Sequence, residues 1–364
     1  MSDNVLKFVL QTLERIRSEI GSHYIWVQVD ETTDAEGRYI ANVIVGAMRQ
    51  DEFSTPHLLV CRELQSTNHG TISRLVNEAM SVLWPDKVHH DRLLLFLSDA
   101  APYMIKVGKA LEVFYPSLLH VTCLAHALHR VAECIRDAAS ITNCLVSSVR
   151  KIFVKAPTRV QLYKEKTPDI PLPPEPVLTR WGTWLKAALF YAEHLDDIQN
   201  IVMCLDASEA KAIEKAQHVM QDPSLRAQLT YLKGHFSELE SSITALEKRD
   251  LPLGASLDII SRVNESLALA PGEIGRKAQA KLDTVLKTNP GFATLKGISQ
   301  SLHGEVPNDQ VNLSPAICAL FKNAPTTSVE VERSFSTYKN ILADNRRRLT
   351  VKSIEQLIVS HCNA

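Results

Sequence analysis

No stretch of this chain reaches the roughly 18 uninterrupted apolar residues that a membrane-crossing helix needs. The opening Met1-Ser2-Asp3-Asn4 also lacks the basic region and apolar core of a secretory signal. The expectation is a soluble, intracellular protein with no membrane partner. There is no surplus of positive charge either: 40 Lys and Arg face 41 Asp and Glu, a net charge of −1. The broad basic field of many nucleic-acid binders is therefore missing, and any DNA contact must come from local patches. No CxxC pair occurs, and the seven cysteines are odd in number and scattered, which argues against a secreted disulfide framework. Internal repeats and low-complexity tracts are absent. What remains is 364 residues, 45% hydrophobic and 22% charged, enough for a full core and expected to form one large domain plus a smaller one.

Three carboxylates stand out by position. Asp30 ends the apolar run Tyr24 to Val29, Asp99 follows Leu93-Leu94-Leu95-Phe96-Leu97-Ser98, and Glu332 lies in the helical pattern Ser328 to Ser336. Acids at the ends of two buried strands can converge with a third from a late helix, and such a group is placed to hold a pair of metal ions. Apolar periodicity predicts a helix over 4–20, strands over 24–30, 38–48 and 56–63, a helix over 71–83, a strand over 92–98, a helix over 101–113, a strand over 118–121 and a helix over 122–137. Glu31 to Gly37 reads as a polar hairpin turn, where acidic residues such as Glu31 and Asp34 are common without function. The order of these elements is that of an α/β fold, a ribonuclease H-like mixed five-stranded sheet flanked by helices. Its first and fourth strands are neighbours, which sets Asp30 beside Asp99.

After about residue 140 the pattern changes. Pro168, Pro171, Pro173, Pro174 and Pro176 mark a boundary or ordered loop, and from Thr179 to about 290 the apolar spacing is helical. Helical spacing resumes over 313–322, and two last helices are expected over about 326–342 and 351–362. The expected organisation is an N-terminal helix (1–20), a first part of the core (21–178), an all-helical insertion (179–310) and a C-terminal region completing the core (311–364).

The segments Val29-Asp30-Glu31-Thr32-Thr33-Asp34, Leu97-Ser98-Asp99-Ala100-Ala101-Pro102, Cys123-Leu124-Ala125-His126, Thr179-Arg180-Trp181 and Ser328 to Ser336, in this order, resemble the hAT superfamily of cut-and-paste DNA transposases. The Val-Glu-Arg-Ser-Phe-Ser core, followed by Lys339-Asn340-Ile341-Leu342 and Asn345-Arg346-Arg347-Arg348-Leu349, is similar to the hAT C-terminal dimerisation motif. The version here is closest to elements related to the CGG-repeat-binding protein. The resemblance implies a homodimer or higher homo-oligomer in the nucleus, acting on transposon ends and target DNA. It also implies a catalytic Asp30, Asp99 and Glu332 holding Mg²⁺ or Mn²⁺. Two such ions roughly 3.5 to 4 Å apart activate the attacking oxygen and stabilise the leaving one. Asp30 would bridge the ions, with Asp99 and Glu332 each completing one side. Many relatives begin with a zinc-binding BED finger, and none is visible before residue 20. Two functions therefore stay open: a metal-dependent transposase, or a transposase-derived protein that dimerises and binds DNA or protein without catalysis.

The remaining candidates are weighed against plainer roles. Glu330 lies two positions from Glu332, so on a helix it points about 200° away. Cys123, His126, His129 and Cys134 invite a zinc reading, but structural zinc sites pair ligands from two separated segments, and no second pair is evident. The resemblance places Cys123 and His126 near the active site, contacting DNA or supporting the neighbourhood of Asp99, against the alternative of core packing. It implies that Trp181, after Arg180, stacks on a flipped base, worth about 1 to 3 kcal/mol, against the alternative that both tryptophans pack the helix on the sheet; Trp184 reads as core. Arg346, Arg347 and Arg348 form a short basic run placed to meet phosphate, and Arg333 is a partner for an active-site acid.

Overall fold

The structure is a computed structural model and describes residues 3–177, 181–307, 311–342 and 351–363. Chain contacts divide it into two compact units. The first comprises Met1–His126, Glu247–Leu257 and Lys287–Ala364, and the second Ala127–Leu246 and Asp258–Leu286. In chain order the elements begin with helix α1 (Asp3–Ile20), strands β1 (Ile25–Thr33), β2 (Tyr39–Ala47) and β3 (His57–Leu64), helix α2 (His69–Leu83), strand β4 (Leu93–Ser98), helix α3 (Pro102–Glu112), strand β5 (Leu119–Thr122) and helix α4 (Leu124–Ala138). Then come helices α5 (Ser140–Phe153), α6 (Pro157–Lys166), α7 (Trp181–Met203), α8 (Lys211–Met220), α9 (Pro223–Leu246), α10 (Leu253–Ala268) and α11 (Gly272–Thr288). Helices α12 (Phe292–Leu302), α13 (Pro315–Leu320), α14 (Val329–Leu342) and α15 (Val351–Cys362) complete the chain.

The strand runs are rich in Val, Ile and Leu because both faces of the sheet are covered. The sheet has five strands in the order β3-β2-β1-β4-β5. β1 pairs antiparallel with β2 and parallel with β4, so the mixed ribonuclease H-like arrangement expected from element order is present. On one face Ile25, Val27 and Val29 join Val43 and Val45 in a core with Ile16 and Ile20 of α1, Leu75, Val76 and Met80 of α2, and Met104 and Val107 of α3. On the other face two buried amides fasten the C-terminal segment. Gln28 Nε2 donates to the Thr327 carbonyl at 2.9 Å, and Asn42 Nδ2 donates to Ser334 Oγ of α14 at 2.7 Å. α15 is held to β3 by Glu355, which accepts from Arg62 Nη1 at 2.7 Å and from the Glu63 amide at 3.2 Å.

The second unit contains only helices among its described residues. It takes in helices before the proline-rich segment as well as after it. α9 shows why such a unit packs: Leu225, Leu229, Leu232, Phe236, Leu239, Ile243 and Leu246 are buried at helical spacing along one stripe. Trp184 is buried in α7, as its spacing suggests.

Two boundaries differ from the periodicity. β1 continues through Glu31↔Ala41, Thr32↔Ile40 and Thr33↔Tyr39, so Glu31 stands in the ladder and not in the turn. The turn itself is tightened by Asp34, whose Oδ1 accepts from the amides of Glu36 at 2.9 Å and Arg38 at 3.0 Å, so the hairpin starts later than polarity suggests. α14 starts at Val329 and not near 326, because the carbonyls of Thr326 and Thr327 are taken by the Leu124 amide (3.1 Å) and Gln28 (2.9 Å), which keeps that segment extended. No helix among the described residues is long and apolar enough to cross a membrane.

Candidate active site

The β1–β4 register places the first two acids. Gln28 is paired with Leu97 across parallel strands, and counting two residues on from each reaches Asp30 and Asp99 at the same level. Asp30 shares its face of β1 with Gln28, since side chains two apart point the same way. Its cross-strand neighbour Asn42 bonds Ser334, two residues after Glu332. The amides that seat α14 thus bring its first turns over the end of β1, and Glu332 joins the field acting on Asp30.

α4 enters from the other side. The Leu124 amide donates to the Thr326 carbonyl, and the Ser328 amide donates to Cys123 Sγ at 3.2 Å. These bonds stitch the start of α4 to the start of α14 and leave His126 between them. His126 Nδ1 lies 3.4 Å from Ser328 Oγ, and Nε2 lies 3.4 Å from Glu332 Oε1. Their side chains are 29% and 17% exposed, so this ion pair is shielded from bulk water and screened less than a surface pair.

Burial pushes the Asp30 carboxyl up to about 7, with Asp99 and Glu332 pushing the same way and His126 opposing. Burial works against a charged His126, but the Cys123 sulfur, Glu332 and Asp30 overcome it and raise the imidazole to about 10. Cys123 shows the reverse balance: burial opposes the thiolate, yet His126 and the Ser328 side chain hold it below the usual thiol range. Glu31, on the opposite face of β1, is driven up to about 8 by burial and by Asp30 and Asp99. It accepts a hydrogen bond from the Tyr103 hydroxyl of α3.

Several residues proposed from sequence go elsewhere. Glu330 is paired with Arg249 at 2.8 Å and with Arg333, consistent with its facing away from Glu332. Arg333 therefore serves Glu330 and the Glu247 carbonyl (2.7 Å), not an acid of the cluster; the helical turn sets it beside i−3, a relation that sequence proximity to Glu332 hides. His129 Nδ1 accepts from the Gly182 amide at 3.1 Å, and Cys134 Sγ contacts the Lys277 carbonyl at 3.7 Å, so neither turns toward Cys123. Arg180, Arg346, Arg347 and Arg348 lie outside the described residues, as does the side chain of Trp181. Tyr103, in the segment Leu97 to Met104, and Ser328, in Ser328 to Ser336, stand inside the motif segments but carry no role there, since each becomes relevant only through a partner far along the chain.

The donor set fits a hard cation. Asp30, whose proton affinity burial and the neighbouring Asp99 and Glu332 raise, would be relieved by a divalent ion, and oxygen donors suit Mg²⁺ or Mn²⁺. Among the described residues no group of three or more His, Cys, Asp or Glu side chains is placed to hold a metal ion by itself. Mg²⁺ commonly takes one or two carboxylates and completes its shell with waters and substrate phosphates, so a full protein cage is not required.

Against this geometry, residues 320–364 match the hAT family C-terminal dimerisation region, and residues 3–152 match a domain of unknown function, DUF659. No curated protein matches the chain. The two matches support a hAT transposase-like protein, and the first supports homodimer formation.

Proposed function

We propose that this chain is a metal-dependent DNA transposase of the hAT type, cutting strands at transposon ends and joining them to target DNA in the nucleus. Within the family we infer a place closest to elements related to the CGG-repeat-binding protein. The observation that carries the reading is the placement of Asp30 in β1 level with Asp99 just past the adjacent parallel strand β4, with Glu332 of a late helix acting on Asp30. When bound, Mg²⁺ or Mn²⁺ would polarise the scissile phosphate and lower the pKa of the attacking water or 3′-hydroxyl. The chain's own part is to hold the carboxylates: Asp30 by the Glu31 amide at 2.9 Å, Asp99 by the Ala101 amide at 3.0 Å, and Glu332 by His126. His126 supplies positive charge where phosphate would approach, and Cys123 keeps it protonated.

One observation favours a second reading. His126 already engages Glu332, and a carboxylate engaged by an imidazolium suits a non-catalytic scaffold that dimerises and binds DNA or protein. A nicking assay on hairpin and pre-nicked DNA with Mg²⁺ or Mn²⁺ separates the two. Cleavage by the wild type that is lost in Asp99→Ala supports the transposase. Dimers without metal-dependent cleavage support the scaffold.

A further inference from the structure

Asp30 and Asp99 both lie beyond the last rung of the ladder that joins their strands. The β1–β4 pairing ends at Gln28↔Leu97, so no backbone bond of that ladder fixes the separation of the two acids. Asp99 is anchored lengthwise: the Cys123 amide holds the Ser98 carbonyl at 2.9 Å, Ser98 Oγ donates to the Asp99 carbonyl at 2.8 Å, and Asp99 Oδ1 accepts from the Ala101 amide at 3.0 Å. Pro102 then opens α3. None of these bonds ties the link to β1. The bond that does so comes from the next residue, Tyr103, whose hydroxyl donates to Glu31 on the face of β1 opposite Asp30.

Resting on the metal-site reading above, we propose that Glu31 and Tyr103 are positioning residues that set the Asp30–Asp99 separation by clamping the start of α3 to the end of β1. An apolar pair could pack these elements without cost. Instead the place holds a carboxyl beside two aspartates, with Oε2 buried and without a hydrogen-bond partner. A buried, half-satisfied acid is a poor structural filler and calls for a reason of its own. A directional bond supplies one, because a hydroxyl-to-carboxyl contact fixes distance and angle where an apolar contact does not. Side chains that orient metal ligands typically change metal affinity about 10- to 100-fold when removed.

The test uses the full chain and Mn²⁺ as the probe. Glu31→Ala and Tyr103→Phe each weaken Mn²⁺ binding about tenfold, and the double variant is no weaker than either single one, as expected for two halves of one device. Glu31→Gln keeps a carbonyl acceptor for Tyr103, so it stays near the wild type and serves as the folded control. Hydrogen exchange without metal provides the second readout: amides over 98–103 exchange faster in Glu31→Ala and Tyr103→Phe than in the wild type or Glu31→Gln. Unchanged exchange in Tyr103→Phe overturns the clamp. Equal Mn²⁺ losses in Glu31→Gln and Glu31→Ala, with Tyr103→Phe unaffected, overturn it by making Glu31 a ligand. If the wild type binds no Mn²⁺, the metal reading fails, and the exchange comparison alone decides the clamp.

Discussion

His126 Nε2 stands 3.4 Å from Glu332 Oε1, joining the first turn of α4 to the first turn of α14. The same imidazole lowers the proton affinity of Asp30 and that of Cys123. Among the described residues it is a cation set beside these acids, and its charge acts on Asp30 and Glu332 alike.

The pH dependence of stability follows with a definite sign. His126 is raised from 6.5 to about 10, so its contribution is fully present below 6.5 and is lost as pH rises through 10. Asp30 is raised from 3.8 to about 7, so the folded state holds an extra proton between those values and stability falls across that window too. Cys123, held below its ordinary range, works against the His126 contribution, so the clean window is that of Asp30. Metal-free wild type should lose thermal stability relative to Asp30→Asn as pH goes from about 4 to 7. A difference in Tm that is flat, or that shifts in favour of the wild type, over this range contradicts the assignment.

A divalent cation must displace the proton on Asp30, so Mn²⁺ should raise the Tm more at pH 8 than at pH 5.5. At a hundredfold excess over Kd the gain is about 2.7 kcal/mol. Asp30→Asn removes a buried charge beside two other acids and should be more stable than the wild type without metal at pH 8, while gaining nothing from Mn²⁺. Thermal unfolding by circular dichroism with and without Mn²⁺ reads both effects.

Seating of α14 depends on the Asn42–Ser334 bond at 2.7 Å, both residues being buried. Ser334→Ala strands the Asn42 amide, whose oxygen already lacks a partner, and should cost about 1 to 3 kcal/mol in urea unfolding. A loss below about 0.5 kcal/mol would show that α14 is held by its apolar face alone.

Behind Asp99, helix α3 approaches β5 at Gly108. A Cβ there would lie 2.0 Å from His120 Nδ1, and the His120 ring is buried with Nε2 2.9 Å from Ser98 Oγ. Gly108→Ala should destabilise the chain by about 1 to 3 kcal/mol through overpacking. Because the displaced ring bonds the residue before Asp99, Mn²⁺ affinity should fall as well, measurable by calorimetry. Full retention of both would mean that His120 moves freely.

Much of this arrangement was legible in the residues. The apolar runs ending at Asp30 and Asp99 announce strands, and element order alone makes those strands neighbours, since a parallel pair needs a helical crossover between them. Glu330 could be set aside because helix geometry separates positions two apart. The partners of the site were not legible. Ser328 binds the Cys123–His126 segment from the far end of the chain, and Tyr103 reaches Glu31 across the sheet edge; neither contact leaves a periodic trace. Glu31 reads as a turn residue because it opens a polar run before Gly37, whereas ladder pairing opposite Ala41 decides its place.

The most direct measurement counts Mn²⁺ bound by the full chain, following the free ion by electron paramagnetic resonance at pH 8. Saturable binding is expected in the wild type, lost in Asp30→Asn, Asp99→Asn and Glu332→Gln taken singly, and retained in Glu330→Gln, whose carboxylate is committed to Arg249 and Arg333. Binding that survives all three substitutions, or that is lost equally in Glu330→Gln, would contradict a shared site built from Asp30, Asp99 and Glu332.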